Sequence, residues 1–148
     1  MRTHYRFGHE WVVQARPDAV LALLEDVPGY GAWWPGVRVL GDRSTPSRRA
    51  AELEVRAPAG YRIRFTLTES VTAQDELRGL LRGDLEGWCA WRIIAARDGT
   101  RVVFAQEAEA RARLLRLASP LLHHQLAAQH ERLLRAAERG MRRALDEA

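Results

Sequence analysis

Four polar side chains interrupt stretches of this sequence that are otherwise apolar on one side. His9 falls in step with Phe7 and Trp11 in an alternating run, Glu69 with Phe65 and Leu67, and Gln106 with Val102 and Phe104. His130 stands in a stripe with Leu126 and Leu133 that repeats every three or four residues. If all four faces line one cavity, its wall is aromatic and aliphatic with a few converging polar groups. Such groups orient a largely hydrophobic ligand by its polar end. A histidine and a glutamate in a dry pocket also have shifted proton affinities, so His130 and Glu69 are the candidate catalytic acid–base pair. The alternative for each residue is a strand end or helix flank from which the side chain reaches water. Burying an imidazole without a partner costs about 1–3 kcal/mol, so an inward His130 is expected to have found a hydrogen bond or a water, with Glu69, Gln106 and His9 as the candidate partners.

Several other chemistries are excluded. The chain has no lysine, hence no G-x-x-x-x-G-K-[ST] phosphate loop, and it lacks G-x-S-x-G, G-x-G-x-x-G and H-E-x-x-H. His123 and His130 would lie roughly 10 Å apart along a helix axis at about 1.5 Å per residue. Two ligands of one zinc, each about 2.1 Å from the metal, cannot be so far apart. His124 points in another direction from His123. No metal and no cofactor are therefore expected. Cys89, the single cysteine, sits between Trp88 and Trp91 and is expected to be a buried small apolar residue. Alone, it excludes an internal disulfide and a cysteine-based zinc site.

With 148 residues, one domain spanning 1–148 is expected. A chain of this size buries roughly 68–70% of its unfolded surface, enough for a core without staples. A 47% hydrophobic and 28% charged composition is that of a globular protein. All 23 basic residues are arginine, the net charge is only +4, and the acids are interleaved with them. That argues for a solvated Arg/Glu surface and against nucleic acid as a partner. No apolar run reaches the roughly 18 residues of a membrane span, and the charged start (Arg2, His4, Arg6) lacks a signal-peptide core. The expected location is cytoplasmic, without stable membrane insertion.

These residues must be held by elements that the pattern also reveals. From about Thr3 to Ala15 the chain alternates, with Tyr5, Phe7, Trp11 and Val13 against Arg6, Glu10 and Gln14. That is a half-buried strand. Pro17 suits the first turn of a short helix whose apolar side is Val20, Leu23 and Leu24, stopped at Pro28-Gly29. Tyr30–Gly36 predicts a single helical turn tucking Trp33 and Trp34 inward, as core residues or at a cavity mouth that opens and closes. Strand-like runs follow at Val37–Leu40, Ala50–Ala57, Tyr61–Val71, Glu76–Leu81, Gly87–Ala96 and Arg101–Ala110. Pro58-Ala59-Gly60 and Asp98-Gly99 read as hairpin turns. After a lead-in turn at Arg113–Ala118, Ser119 as N-cap and Pro120 open a long helix to about Asp146. Leu126, His130, Leu133, Ala137, Met141 and Ala144 form its apolar stripe, opposite Arg132, Arg135, Arg139 and Arg142. That stripe is needed against the sheet, which argues against a membrane role for the helix. One helix cannot cover seven flat strands, so an α+β fold with a curved seven-stranded antiparallel sheet wrapped around it is expected. Curling leaves space between them, the geometry of a ligand cavity.

Three patches resemble the START-like, or SRPBCC, superfamily, and within it the polyketide cyclase/dehydrase and lipid-transport group of bacteria. The first runs from Ala15-Arg16-Pro17-Asp18-Ala19-Val20 through Leu24-Glu25-Asp26 and Tyr30 to Trp33-Trp34-Pro35-Gly36-Val37. The second is Gly83-Asp84-Leu85-Glu86-Gly87 with Trp91, then Asp98-Gly99-Thr100-Arg101-Val102. The third is the terminal helix. The resemblance spans most of the chain and implies the helix-grip fold with two short helices after the first strand. It also implies an apolar cavity between sheet and helix. It implies no single activity, since members bind lipids, sterols or polyketides, some catalyse cyclisation or dehydration, and others act through protein partners. The expected ligand-binding set is Phe7, His9, Trp11, Trp33, Trp34, Phe65, Leu67, Glu69, Trp91, Phe104, Gln106, Leu126, His130 and Leu133. The expected partner is a hydrophobic small molecule, and a homodimer is compatible with the pattern. A carrier or sensor, a cyclase or dehydratase, and a protein-interaction module are the functions that stay open.

Overall fold

The alternating first segment is strand β1 (Thr3–Val13). Trp11 and Val13 are buried, while Arg6, Gly8, Glu10 and Val12 face solvent. The computed structural model describes residues 3–56, 62–70, 75–110 and 120–146. After β1 come helix α1 (Pro17–Glu25), a 3-10 turn (Val27–Gly29) and the four-residue helix α2 (Tyr30–Trp33). Pro17 takes the first helical position and Val20 and Leu24, one turn apart, are buried.

Six strands follow: β2 (Val37–Asp42), β3 (Ala50–Arg56), β4 (Arg62–Glu69), β5 (Glu76–Gly83), β6 (Leu85–Ala96) and β7 (Gly99–Ala110). Every pairing is antiparallel and the order is β1-β7-β6-β5-β4-β3-β2. It is a meander whose last strand returns to pair with the first. The β6–β7 hairpin turns on Arg97 and Asp98, with Ala96 paired to Gly99, so Gly99 opens β7 instead of sitting in the turn as expected. The expected Pro58-Ala59-Gly60 turn, the Arg113–Ala118 lead-in and the Ser119 cap lie outside the described residues.

The terminal helix α3 spans Pro120–Asp146, the bounds that its periodicity predicts. Leu134, Ala137 and Met141 are buried and Arg132, Arg135, Arg139 and Arg142 are exposed. One residue lets α3 sit as close as it does. A Cβ at Gly140 would fall on the carbonyl oxygen of Trp33, so the helix touches the α2 turn backbone to backbone. The Trp34 indole Nε1–H then donates to the Leu133 carbonyl over 2.9 Å. No helix among the described residues is long and apolar enough to cross a membrane.

Candidate functional site

The space between the curved sheet and α3 is a largely apolar cavity of about 60 Å³. Inward positions of β3 to β6 supply most of its sheet side: Leu53 and Val55, Phe65 and Leu67, Leu81, then Leu85, Cys89 and Trp91. Phe104 and Gln106 come from β7, and Val37 from the start of β2; His130, Leu133 and Leu134 come from α3, and Tyr30 and Trp34 from α2 and its C-terminal end. Period-two alternation explains each strand residue, since Leu53/Val55, Phe65/Leu67 and Phe104/Gln106 are two apart on one face. Helical spacing brings His130 and Leu134 one above the other.

Aromatic rings run through the site in unbroken contact. Trp33 and Trp34 stack at 5.5 Å between centroids, Trp34 meets Trp91 edge-on at 5.8 Å, and Trp91 lies 4.6 Å from Phe104. His130 closes the line, 6.1 Å from Phe104 and stacked on Phe7 at 3.7 Å. Such contacts fix ring orientations beyond what area burial alone would do.

The wall is uncharged at neutral pH. Burial pushes the Cys89 thiol up to about 12 and the His130 imidazole down to about 4. Burial, with Cys89 nearby, likewise holds the Tyr30 phenol well above its ordinary value, and its hydroxyl donates to the Leu24 carbonyl over 2.6 Å. The Nδ1 of His130 is buried with no hydrogen-bond partner among the described residues. None of the candidate protein partners, Glu69, Gln106 or His9, bonds it.

The sequence-predicted residues divide into three groups. Trp34, Phe65, Leu67, Trp91, Phe104, Gln106, His130 and Leu133 line the cavity together. Phe7, His9, Trp11 and Trp33 do not line it. Phe7 backs His130; Trp11 is core, its Nε1–H on the Met141 sulfur at 3.4 Å; Trp33 backs Trp34. His9 instead faces the α3 flank, with Nε2 3.5 Å from the Glu138 carboxylate. Glu69 does not converge with His130. It lines a separate recess of about 20 Å³ with Leu24, Glu25 and Leu77, beyond a wall of Tyr30, Leu67, Cys89 and Trp91. Leu126 has a described backbone in α3, and its side chain lies outside the described residues. Sequence reasoning missed Tyr30, Val37, Leu53, Val55, Leu81, Leu85, Cys89 and Leu134 as lining residues, although the same alternation marks Leu53, Val55 and Leu81. Among the described residues no three His, Cys, Asp or Glu side chains gather as a metal would require.

A seven-stranded antiparallel sheet gripping a long C-terminal helix, with two short helices after its first strand, is the START-like helix-grip architecture. Residues 5–146 match the family described as polyketide cyclase / dehydrase and lipid transport, and the chain belongs to that family. No curated protein matches its sequence. Among solved structures, it is similar to the Zhui aromatase/cyclase from Streptomyces sp. R1128, with a TM-score of 0.73 and 20% identity over 97% of this chain and 94% of that one. A START superfamily protein from Mycobacterium smegmatis superposes with a TM-score of 0.72 at 14% identity, covering 98% and 99% of the two chains. Norcoclaurine synthase from Thalictrum flavum, in complex with dopamine and hydroxybenzaldehyde, gives 0.62 at 11% identity over 99% and 88%. At these identities the likenesses show a shared fold.

Proposed function

We propose that the chain binds a hydrophobic small molecule, lipid- or polyketide-like, between sheet and helix, and carries or senses it without turnover. The observation that carries this reading is the single uncharged wall that joins aromatic and aliphatic side chains from six strands and two helices. Gln106 and the unpartnered Nδ1 of His130 are polar groups on that wall able to meet a polar atom of the ligand. At about 60 Å³ the cavity as it stands has room for only a few waters, so a larger ligand must part the aliphatic side chains to enter. Loss of the expected His130–Glu69 pair weighs against acid–base chemistry. A base pushed down to about 4 is also a poor proton acceptor at neutral pH.

A cyclase or dehydratase acting on a polyketide-like substrate is the second reading, favoured by the family description. Native mass spectrometry of the purified protein, with extraction of its cargo, tests both. A bound apolar molecule released unchanged supports the carrier; a substrate converted with ring closure or loss of water supports the enzyme. Leu53→Trp should fill the cavity and abolish binding of an environment-sensitive apolar dye while the circular dichroism stays native. Unchanged dye binding would place the dye elsewhere and remove this support.

A further inference from the structure

A second concavity opens beside the cavity. It is a groove of about 400 Å³ between α3 and the β2–β3–β4 end of the sheet. Val37, Val55 and Leu133 line both spaces, so these three side chains form the partition between them. The charged lining of the groove is Arg38, Arg56, Arg62 and Arg132 against one carboxylate, Glu54.

That carboxylate is already engaged. Glu54 accepts from Arg64 Nε over 2.8 Å and lies 3.7 Å from a terminal nitrogen of Arg62. Among the described residues no carboxylate lies within 4.0 Å of the Arg38, Arg56 or Arg132 guanidinium, although Arg38 stands opposite Glu54 across β2 and β3 and its charge acts on that carboxyl. The register adds an independent observation. Arg56 and Arg62 stand directly opposite each other across β3 and β4, a like-charge cross-strand pair that is unfavourable by itself. An anion in the groove removes that cost. Guanidinium groups suit carboxylate or phosphate oxygens, which they can bind through two parallel hydrogen bonds.

We propose that the groove binds the anionic end, a carboxylate or phosphate monoester, of an amphiphile whose apolar chain enters the cavity past Val37, Val55 and Leu133. This rests on the reading of the cavity as a site for a hydrophobic molecule. It moves the ligand's charged end away from His130, into water-accessible space where the charge stays partly hydrated.

The test compares decanoate, decyl phosphate, 1-decanol and inorganic phosphate by isothermal titration on the full chain. Arg38→Gln/Arg56→Gln/Arg132→Gln is the variant, with all three side chains exposed in the folded protein. Exposed ion pairs are weak singly, so three together should favour both anionic ligands over decanol on the order of tenfold. The preference should shrink at high salt and vanish in the variant, which should bind decanol unchanged. Decanoate and decyl phosphate differing from each other would identify which oxyanion the groove selects, and either preference upholds the proposal. Equal binding of decanol and both anions by the wild type would overturn it while leaving the apolar cavity reading intact. Inorganic phosphate binding as tightly as decyl phosphate would make the groove an ion site unconnected to the cavity, and would overturn it too. Binding of none of the decyl ligands would overturn the cavity reading and this proposal with it.

Discussion

The imidazole of His130 lies flat on the ring of Phe7, with centroids 3.7 Å apart and planes 9° from parallel. Phe104 flanks it on the β7 side, 6.1 Å away. A ring held between aromatics with a buried, unpartnered Nδ1 has little to stabilise a positive charge, so burial pushes its proton affinity down to about 4. The unfolded imidazole titrates near 6.5. Between these values the unfolded chain binds the extra proton, so the stability from neutral His130 is complete above pH 6.5 and is lost as pH falls towards 4. The loss is on the order of 3 kcal/mol. His130→Leu should abolish this slope and be at least as stable as the wild type at pH 7. Urea titrations of both proteins at pH 7 and pH 4.5 check it; parallel losses in the two would show that His130 is not the titrating group.

Gly140 sets how closely α3 approaches α2. Alanine there would gain roughly 1 kcal/mol of helix propensity. Its methyl group, however, would meet the Trp33 carbonyl and the Pro35 ring. Overpacking of this kind costs about 1–3 kcal/mol, so Gly140→Ala should be destabilising on balance. Because Trp34 hydrogen-bonds the Leu133 carbonyl on the same helix, the shift should also change tryptophan emission. A melt and a fluorescence spectrum suffice; a variant more stable than wild type with unaltered emission would refute the close contact.

Cys89 offers a direct probe of the cavity floor. Its thiol is buried and pushed up to about 12, so the thiolate is scarce at pH 8. A disulfide reagent should leave the native protein unmodified over hours and label it stoichiometrically in denaturant. Rapid native labelling would mean that the sheet–helix space opens readily.

Periodicity made most of the fold readable because each element has a simple repeat. The α3 stripe located its bounds, and alternation placed Trp11, Phe65, Leu67 and Phe104 on buried or cavity-lining faces. What a period of two cannot report is depth along a strand. Glu69 shares a face with Phe65 and Leu67, yet it stands at the strand's far end, behind Tyr30 and Trp91. Phe7 and His9 likewise share the face of Trp11, but β1 passes along the flank of α3 instead of the cavity. The arginine groove was hidden for another reason. Arg38, the Arg56–Arg62 pair and Arg132 lie far apart in the chain, and only register and helix placement bring them together. As composition they resemble any solvated Arg/Glu surface.

Glu54 is the counterweight of that groove, and its removal should show how much repulsion it contains. The Arg64 hydrogen bond, with Arg62, Arg64 and Arg38 charges around it, holds its carboxyl below the usual glutamate range. Its ionised form therefore contributes stability that is present above about pH 4.5 and lost as pH falls through its lower folded value. Glu54→Gln keeps the shape and a hydrogen-bond acceptor but removes the charge, leaving Arg56 opposite Arg62 with no carboxylate nearby. The variant should melt below the wild type in dilute buffer, and the gap should narrow with sodium chloride, which screens the guanidinium repulsion. Phosphate should narrow it further than chloride at equal ionic strength, because a bound oxyanion takes the place of the lost carboxylate. Melting curves of both proteins in dilute buffer, chloride and phosphate check each step. Equal melting temperatures in dilute buffer would mean the arginines do not repel one another, and chloride matching phosphate would mean that the groove does not bind an oxyanion.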